Sequence, residues 1–216
     1  MFGLSKRTLR SKLPKTHLST IQRGTMAYTY RGISCLKNPF DLAIYQLLIA
    51  DLQPKTIVEV GSAKGGSALW LSDVTQNHGL DTSIISVDIN PVRGLTIDRV
   101  QFIYGDIHKL SESALPDLLK ICERPLLVIE DGPHTFEGCK AALEFFHPYM
   151  AAGEYIIIED GIVFELGHGE YKDGPNRAIA QHVKKHSKVC KVDREMCDYF
   201  GQNFTWATNG YIRYKR

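Results

Sequence analysis

No apolar run in this chain approaches the roughly 18–20 residues that a membrane-spanning helix needs, so no membrane partner is expected. Cysteine is sparse: Cys35, Cys122, Cys139, Cys190 and Cys197 are scattered over 216 residues. Their number is odd and no pair has C-x-x-C spacing, which argues against a disulfide framework or a zinc site and for reduced thiols in the cytoplasm. Acid is missing from Met1 to Phe40, where Lys6, Arg7, Arg10, Lys12, Lys15, Arg23, Arg31 and Lys37 are all basic. That segment also lacks the apolar core of a signal peptide. Residues 1–37 read as a basic arm lying across an acidic surface of the fold or of a second subunit. A transit peptide and an attractor for an anionic substrate are the sharper alternatives. The whole chain is nearly neutral at +2, so no overall field points to nucleic acid. A homo-oligomer is compatible with all of this.

What is present is an α/β pattern. At 216 residues and 44% hydrophobic content, the chain can bury a two-faced core in one domain, taken as residues 38–216. Pro39 opens a helix with Leu42, Tyr45, Leu48, Ile49 and Leu52 on one face, and Pro54 stops it. Strands are expected at Thr56–Val60, Ser83–Asp88, Val100–Tyr104, Pro125–Ile129 and Tyr155–Ile158. The last two are continuous apolar runs, as central strands buried on both faces require. Helices follow from about Gly66, Ser113, Thr135 and Pro175. Phe164 to Gly174 is a polar, glycine-rich loop suited to a lid. Met196–Phe200, Phe204–Thr208 and Tyr211–Tyr214 read as terminal strands, with Asn209-Gly210 as a hairpin turn.

The pattern centres on Thr56 to Ser67: a short β-branched strand, an acid, a Gly/Ser turn and a helix start. Strand, glycine turn and helix make a ligand site at the carboxyl edge of a parallel sheet. The spacing rules on which ligand. An NTPase phosphate loop needs a Lys where Ser67 stands, and a dinucleotide fingerprint needs a glycine where Ala63 stands. An acid two residues before the first glycine resembles motif I of class I S-adenosylmethionine (SAM) methyltransferases. SAM has no phosphate; its ammonium and carboxylate need an acid and backbone N–H groups. Asp88 lies at the distance of a ribose-binding acid, and Asp106 ends the third strand beside an adenine position. Each could equally be a cap or turn residue.

Four strands end in acids: Glu59, Asp88, Asp131 and the pair Glu159-Asp160. Asp131, Glu159 and Asp160 close neighbouring buried strands and are expected to converge. Carboxylates so close repel unless a cation or proton sits between them. A hard divalent ion such as Mg²⁺ fits oxygen ligands. His134, three residues past Asp131, would stand beside it as a base. His182 and His186, four apart, read as one face of an amphipathic helix.

Taken together, the chain resembles the cephalosporin-hydroxylase-type O-methyltransferases, which are similar to macrolide-sugar and rhamnosyl O-methyltransferases. The likeness is carried by Lys37-Asn38-Pro39-Phe40-Asp41, Glu59-Val60-Gly61 with Gly65-Gly66-Ser67, Asp131-Gly132-Pro133-His134, Gly153-Glu154-Tyr155 leading to Glu159-Asp160, and Asn209-Gly210-Tyr211-Ile212-Arg213. It implies a Rossmann-like class I methyltransferase fold: a mostly parallel seven-stranded sheet, helices on both faces and an antiparallel C-terminal hairpin. It implies Mg²⁺ on Asp131, Glu159 and Asp160, a base at His134, and SAM over Glu59, Gly61, Ser62, Gly65, Ser67, Asp88 and Asp106. Pro133 departs from the family, which often has a second acid there. The expected activity is methyl transfer to a hydroxyl of a small molecule or sugar. An NAD- or nucleotide-linked oxidoreductase and a non-catalytic SAM-binding domain are the rival readings.

Overall fold

The computed structural model describes residues 7–215. Its centre is a seven-stranded sheet, whose strands in chain order are β3 (Thr56–Val60), β4 (Ser83–Asp88), β5 (Val100–Tyr104), β6 (Leu126–Glu130), β7 (Tyr155–Ile158), β8 (Cys190–Val192) and β9 (Tyr211–Tyr214). A two-stranded ribbon, β1 (Thr29–Tyr30) and β2 (Ile33–Ser34), precedes it. The order across the sheet is β5-β4-β3-β6-β7-β9-β8. The first five strands are parallel, and β9 runs antiparallel to both β7 and β8. Chain order reverses between β3 and β6, the place where open parallel sheets hold ligands.

Helices cover both faces: α2 (Pro39–Leu52), α3 (Gly66–Asn77), α4 (Leu115–Ile121), α5 (Phe136–Phe146) and α6 (Gly174–Lys185). The start of α2 is fixed by Asn38, whose Oδ1 accepts from Phe40 N at 2.9 Å and Asp41 N at 3.2 Å, with Pro39 in the first turn. Thr135 caps α5 by accepting from Gly138 N at 3.1 Å. β3, β6 and β7 are buried at every residue, which explains their unbroken apolar runs.

Two regions depart from the pattern read in the sequence. The basic arm contains a helix, α1 (Lys15–Ala27), which is held by a small cluster of Leu13, Leu18, Ile162 and Trp206 apart from the main core. Arg7 lies 2.6 Å from Asp198, and Arg10 pairs with Glu165 at 3.2 Å and Asp173 at 3.3 Å. At the other end only Tyr211–Tyr214 is a strand. Residues 194–197 form a short helix, α7 (Arg194–Cys197), and 204–208 are irregular and mostly buried. Asn209-Gly210 closes no tight hairpin, because β9 pairs with β8 and β7 instead. Asn209 is consumed by other contacts: Arg7 Nε donates to its Oδ1 at 2.7 Å, and its Nδ2 donates to Leu9 O and Asn176 Oδ1. All five cysteines are free, and among the described residues no helix is long and apolar enough to cross a membrane.

Candidate active site

Register alone brings the acids together. Val60 pairs with Glu130 and Glu130 with Ile158, so the next residues, Gly61, Asp131 and Glu159, emerge side by side at the carboxyl edge. The ladder continues past the strands: Asp131 N donates to Val60 O at 2.8 Å and Glu159 N to Glu130 O at 2.9 Å. Gly61 has φ +103°, and a Cβ there would lie 2.1 Å from the Asp131 carbonyl oxygen. The glycine therefore serves close packing of the turn against the Asp131 loop. Gly65 and Gly66 also serve packing. A Cβ on Gly65 would meet Leu95 and Phe102, and one on Gly66 would meet the Ser34 carbonyl.

At this edge lies a cavity of about 590 Å³. It is lined by Gly61, Ser62, Ser67, Asp88, Asp106 and Ile107, by Met26 from α1, Leu36, Leu166, Tyr171 and Trp206, and by Asp131, His134 and Asp160. The last three can each present one ligand atom within 4.8 Å of the others. His134 Nε2 is 3.1 Å from Asp160 Oδ2, and its ring meets Tyr171 edge-on at 5.8 Å. His134 and Asp160 both have positive φ, at 52° and 53°, a strained backbone that clusters at functional sites.

Glu159, expected beside Asp131 and Asp160 as a metal ligand, stands outside this trio and does not line the cavity: it faces inward. Its Oε1 accepts from Lys37 Nζ at 2.5 Å and from the Tyr45 hydroxyl at 2.5 Å. Lys37 also donates to Asp131 Oδ2 at 2.6 Å. Burial works against the Lys37 charge, yet Asp131, Glu159 and Glu59 outweigh it and hold the ammonium well above the ordinary lysine value. Burial and the neighbouring Asp131 push Glu159 well up, since the carboxylates outnumber the one ammonium. Burial raises Asp160 to about 6, with His134 opposing. Sequence reasoning gave Lys37 no role beyond its place in a motif. The signal was there: three crowding acids demand a cation, and the chain supplies one of its own.

The residues expected to hold the cofactor are also placed. Glu59 is fully buried under the turn; Ser86 Oγ donates to its Oε2 at 2.6 Å, and its Oε1 is buried without a partner among the described residues. Burial raises its pKa, against Lys37 and the hydroxyls of Ser67 and Ser86. Asp88 braces the turn, accepting from Ser62 N at 2.9 Å and Ala63 N at 3.2 Å. Asp106 caps a short 3₁₀ segment through His108 N at 2.9 Å. Both line the cavity. His182 lies elsewhere, edge-on to His147 at 5.2 Å and tilted against His186 at 4.7 Å, with its Nε2 3.3 Å from the Tyr214 hydroxyl.

The sheet order and the acid-lined switch point define a class I methyltransferase fold, and the comparisons agree. A family model described as Rhamnosyl O-methyltransferase/CmcI matches residues 22–215. The chain belongs to that family. It is 28% identical over 194 residues to a rhamnosyl O-methyltransferase of Mycobacterium leprae, covering 85% of this chain and 82% of that protein. A rhamnosyl O-methyltransferase of Mycobacterium bovis is 27% identical, over 85% of this chain and 77% of its own. A solved CmcI structure with Mg-SAM superposes with a TM-score of 0.69 at 23% identity, over 88% of this chain and 78% of that one.

Proposed function

We infer that the protein is a SAM-dependent, Mg²⁺-assisted O-methyltransferase acting on a hydroxyl of a sugar or a sugar-like small molecule. The observation that carries this is the meeting of Asp131, His134 and Asp160 within 4.8 Å in the wall of one cavity. Relatives named as rhamnosyl O-methyltransferases and the neighbour carrying Mg-SAM support it.

The residues present suit both groups. Asp131, Glu159 and Asp160 would hold Mg²⁺; they are hard oxygen donors crowded enough to need a cation. The partnerless Oε1 of Glu59 calls for a donor, and the SAM ammonium would be one. Gly61, Ser62, Ser67, Asp88 and Asp106 would line the rest of the donor site, and Gly65 shapes its turn. Bound Mg²⁺ supplies a Lewis acid that lowers the pKa of the acceptor hydroxyl.

His134 then takes the hydroxyl proton at Nε2, the ring nitrogen that faces the acids; Nδ1 is sealed without a partner among the described residues. Bound SAM would supply the methyl group: the C–O bond to the acceptor would form as the sulfonium C–S bond broke, leaving a neutral thioether. The chain mainly aligns the reactants. Trp206 in the cavity wall is fixed by its indole N–H, 2.6 Å from Gln22 Oε1 of α1.

The test is calorimetry with SAM and Mg²⁺, together and apart, on the wild type and on Asp131→Asn. The variant should lose Mg²⁺ binding and most turnover while SAM affinity falls less. Full turnover by that variant in chelator refutes the metal role.

A further inference from the structure

Lys37 is a buried cation inside a cluster of acids. Its side chain is 5% exposed, and its ammonium lies 2.6 Å from Asp131 Oδ2 and 2.5 Å from Glu159 Oε1. Each contact uses one oxygen of its carboxylate. The side chain is anchored at its base: Lys37 N donates to Cys35 O at 2.8 Å, and the next residue is the Asn38 cap of α2. The other buried acids nearby draw on different donors. Glu59 accepts from Ser86, and Asp41 accepts from Asn38, Thr205, Trp206 and Tyr211.

The charges can be counted. Carboxylates bind a metal ionised, so in the metal-bound form Asp131, Glu159 and Asp160 would carry three negative charges and Lys37 one positive, which leaves two. We propose that Lys37 is a fixed counter-charge of the metal centre, holding the cluster at the complement of a divalent ion, restraining its affinity for cations and biasing it against trivalent ones. This rests on the reading that the three acids hold Mg²⁺. A divalent ion then brings the buried group to neutrality, whereas a trivalent ion leaves a surplus positive charge in a low dielectric. Without the ammonium the cluster carries three negative charges and favours the trivalent ion. Lys37 is thus a positioning residue that selects by charge, through the oxygens it leaves free on Asp131 and Glu159.

The test compares Mn²⁺ binding by calorimetry with Tb³⁺ binding by tryptophan-sensitised luminescence, since Trp206 lines the same cavity. Wild type, Lys37→Met, Lys37→Gln and Lys37→Arg are compared at one pH. Loss of the charge in K37M and K37Q should tighten Mn²⁺ by about tenfold, the lower end of the effect of outer-shell groups on metal affinity, with its direction set by charge. Tb³⁺ should tighten more, so that the Tb³⁺/Mn²⁺ preference rises. K37R should restore the wild-type preference. If K37M folds only with metal added, that supports the proposal directly, and K37Q, which keeps a donor without the charge, carries the comparison. An unchanged preference in the neutral variants, or weaker Mn²⁺ binding, overturns it. Wild type that binds neither ion defeats the metal reading itself; wild type that binds both with no change in the variants defeats only the role of Lys37.

Discussion

Gly61→Ala tests whether the turn and the acid cluster form one mechanical unit. The φ of +103° costs an alanine about 1–2 kcal/mol. The new Cβ would lie 2.1 Å from the Asp131 carbonyl oxygen and 2.7 Å from its carbon, which are backbone atoms that cannot rotate away. Overpacking of this kind adds about 1–3 kcal/mol. The sum is about 2–5 kcal/mol, and at about 2–4 °C per kcal/mol for a chain of this size the melting temperature should fall by roughly 10 °C. Gly79→Ala is the control, since Gly79 has φ +69° with nothing within 4 Å of a Cβ. It should lose only the backbone component, about 1–2 kcal/mol. The second readout is functional. Relief of the overlap must move Asp131, and a displacement of about 1 Å at a reacting centre costs on the order of 10²-fold in rate. Denaturant unfolding and a methyl-transfer assay with labelled SAM measure both effects. If G61A matches G79A in stability and keeps full turnover, the coupling between turn and cluster is wrong.

Three further outcomes are expected. His134→Ala should bind SAM and Mg²⁺ but slow chemistry by about 10²–10⁴-fold; an unchanged single-turnover rate removes His134 from proton transfer. His182, depressed by burial and then by His186 and His147 from 6.5 to about 4, is held neutral in the folded state. Its neutral form costs nothing above pH 6.5; below that the unfolded chain takes up a proton that the native state refuses. Stability should therefore fall by up to about 3 kcal/mol between pH 6.5 and 4, and urea titrations of His182→Gln should show a flatter profile over that window; equal slopes refute the assignment. Arg7→Ala removes a bidentate pair with Asp198 and contacts to Asn203 and Asn209. It should cost about 2–4 kcal/mol by thermal melting, and a change within about 0.5 kcal/mol would mean that the arm is not anchored there.

The strands were readable because buried parallel strands leave an unmistakable trace. Thr56–Val60 and Ser83–Asp88 have the bounds their apolar runs suggest, and Val100–Tyr104 has its expected bounds although it is an edge strand with one buried residue. Asp131 and Glu159 could be expected to meet because strand register is a local rule with a long-range consequence. α1 could not be read, because it turns little apolar surface inward. Leu18 and Thr25 are its buried residues, Pro14 offers no capping side chain, and no acid stands in its first turn. The hairpin at Asn209-Gly210 failed for the opposite reason. A strong local turn preference lost to the tertiary contacts that Arg7 and Asn176 make with Asn209. Lys37 was hidden because a lysine before a helix looks like any solvated charge until the chain is folded over it.

The separate cluster of Leu13, Leu18, Ile162 and Trp206 has a consequence of its own. It ties α1 to Ile162 and Trp206 without sharing side chains with the sheet interior, so residues on the cavity side of α1 can be exchanged without repacking the main core.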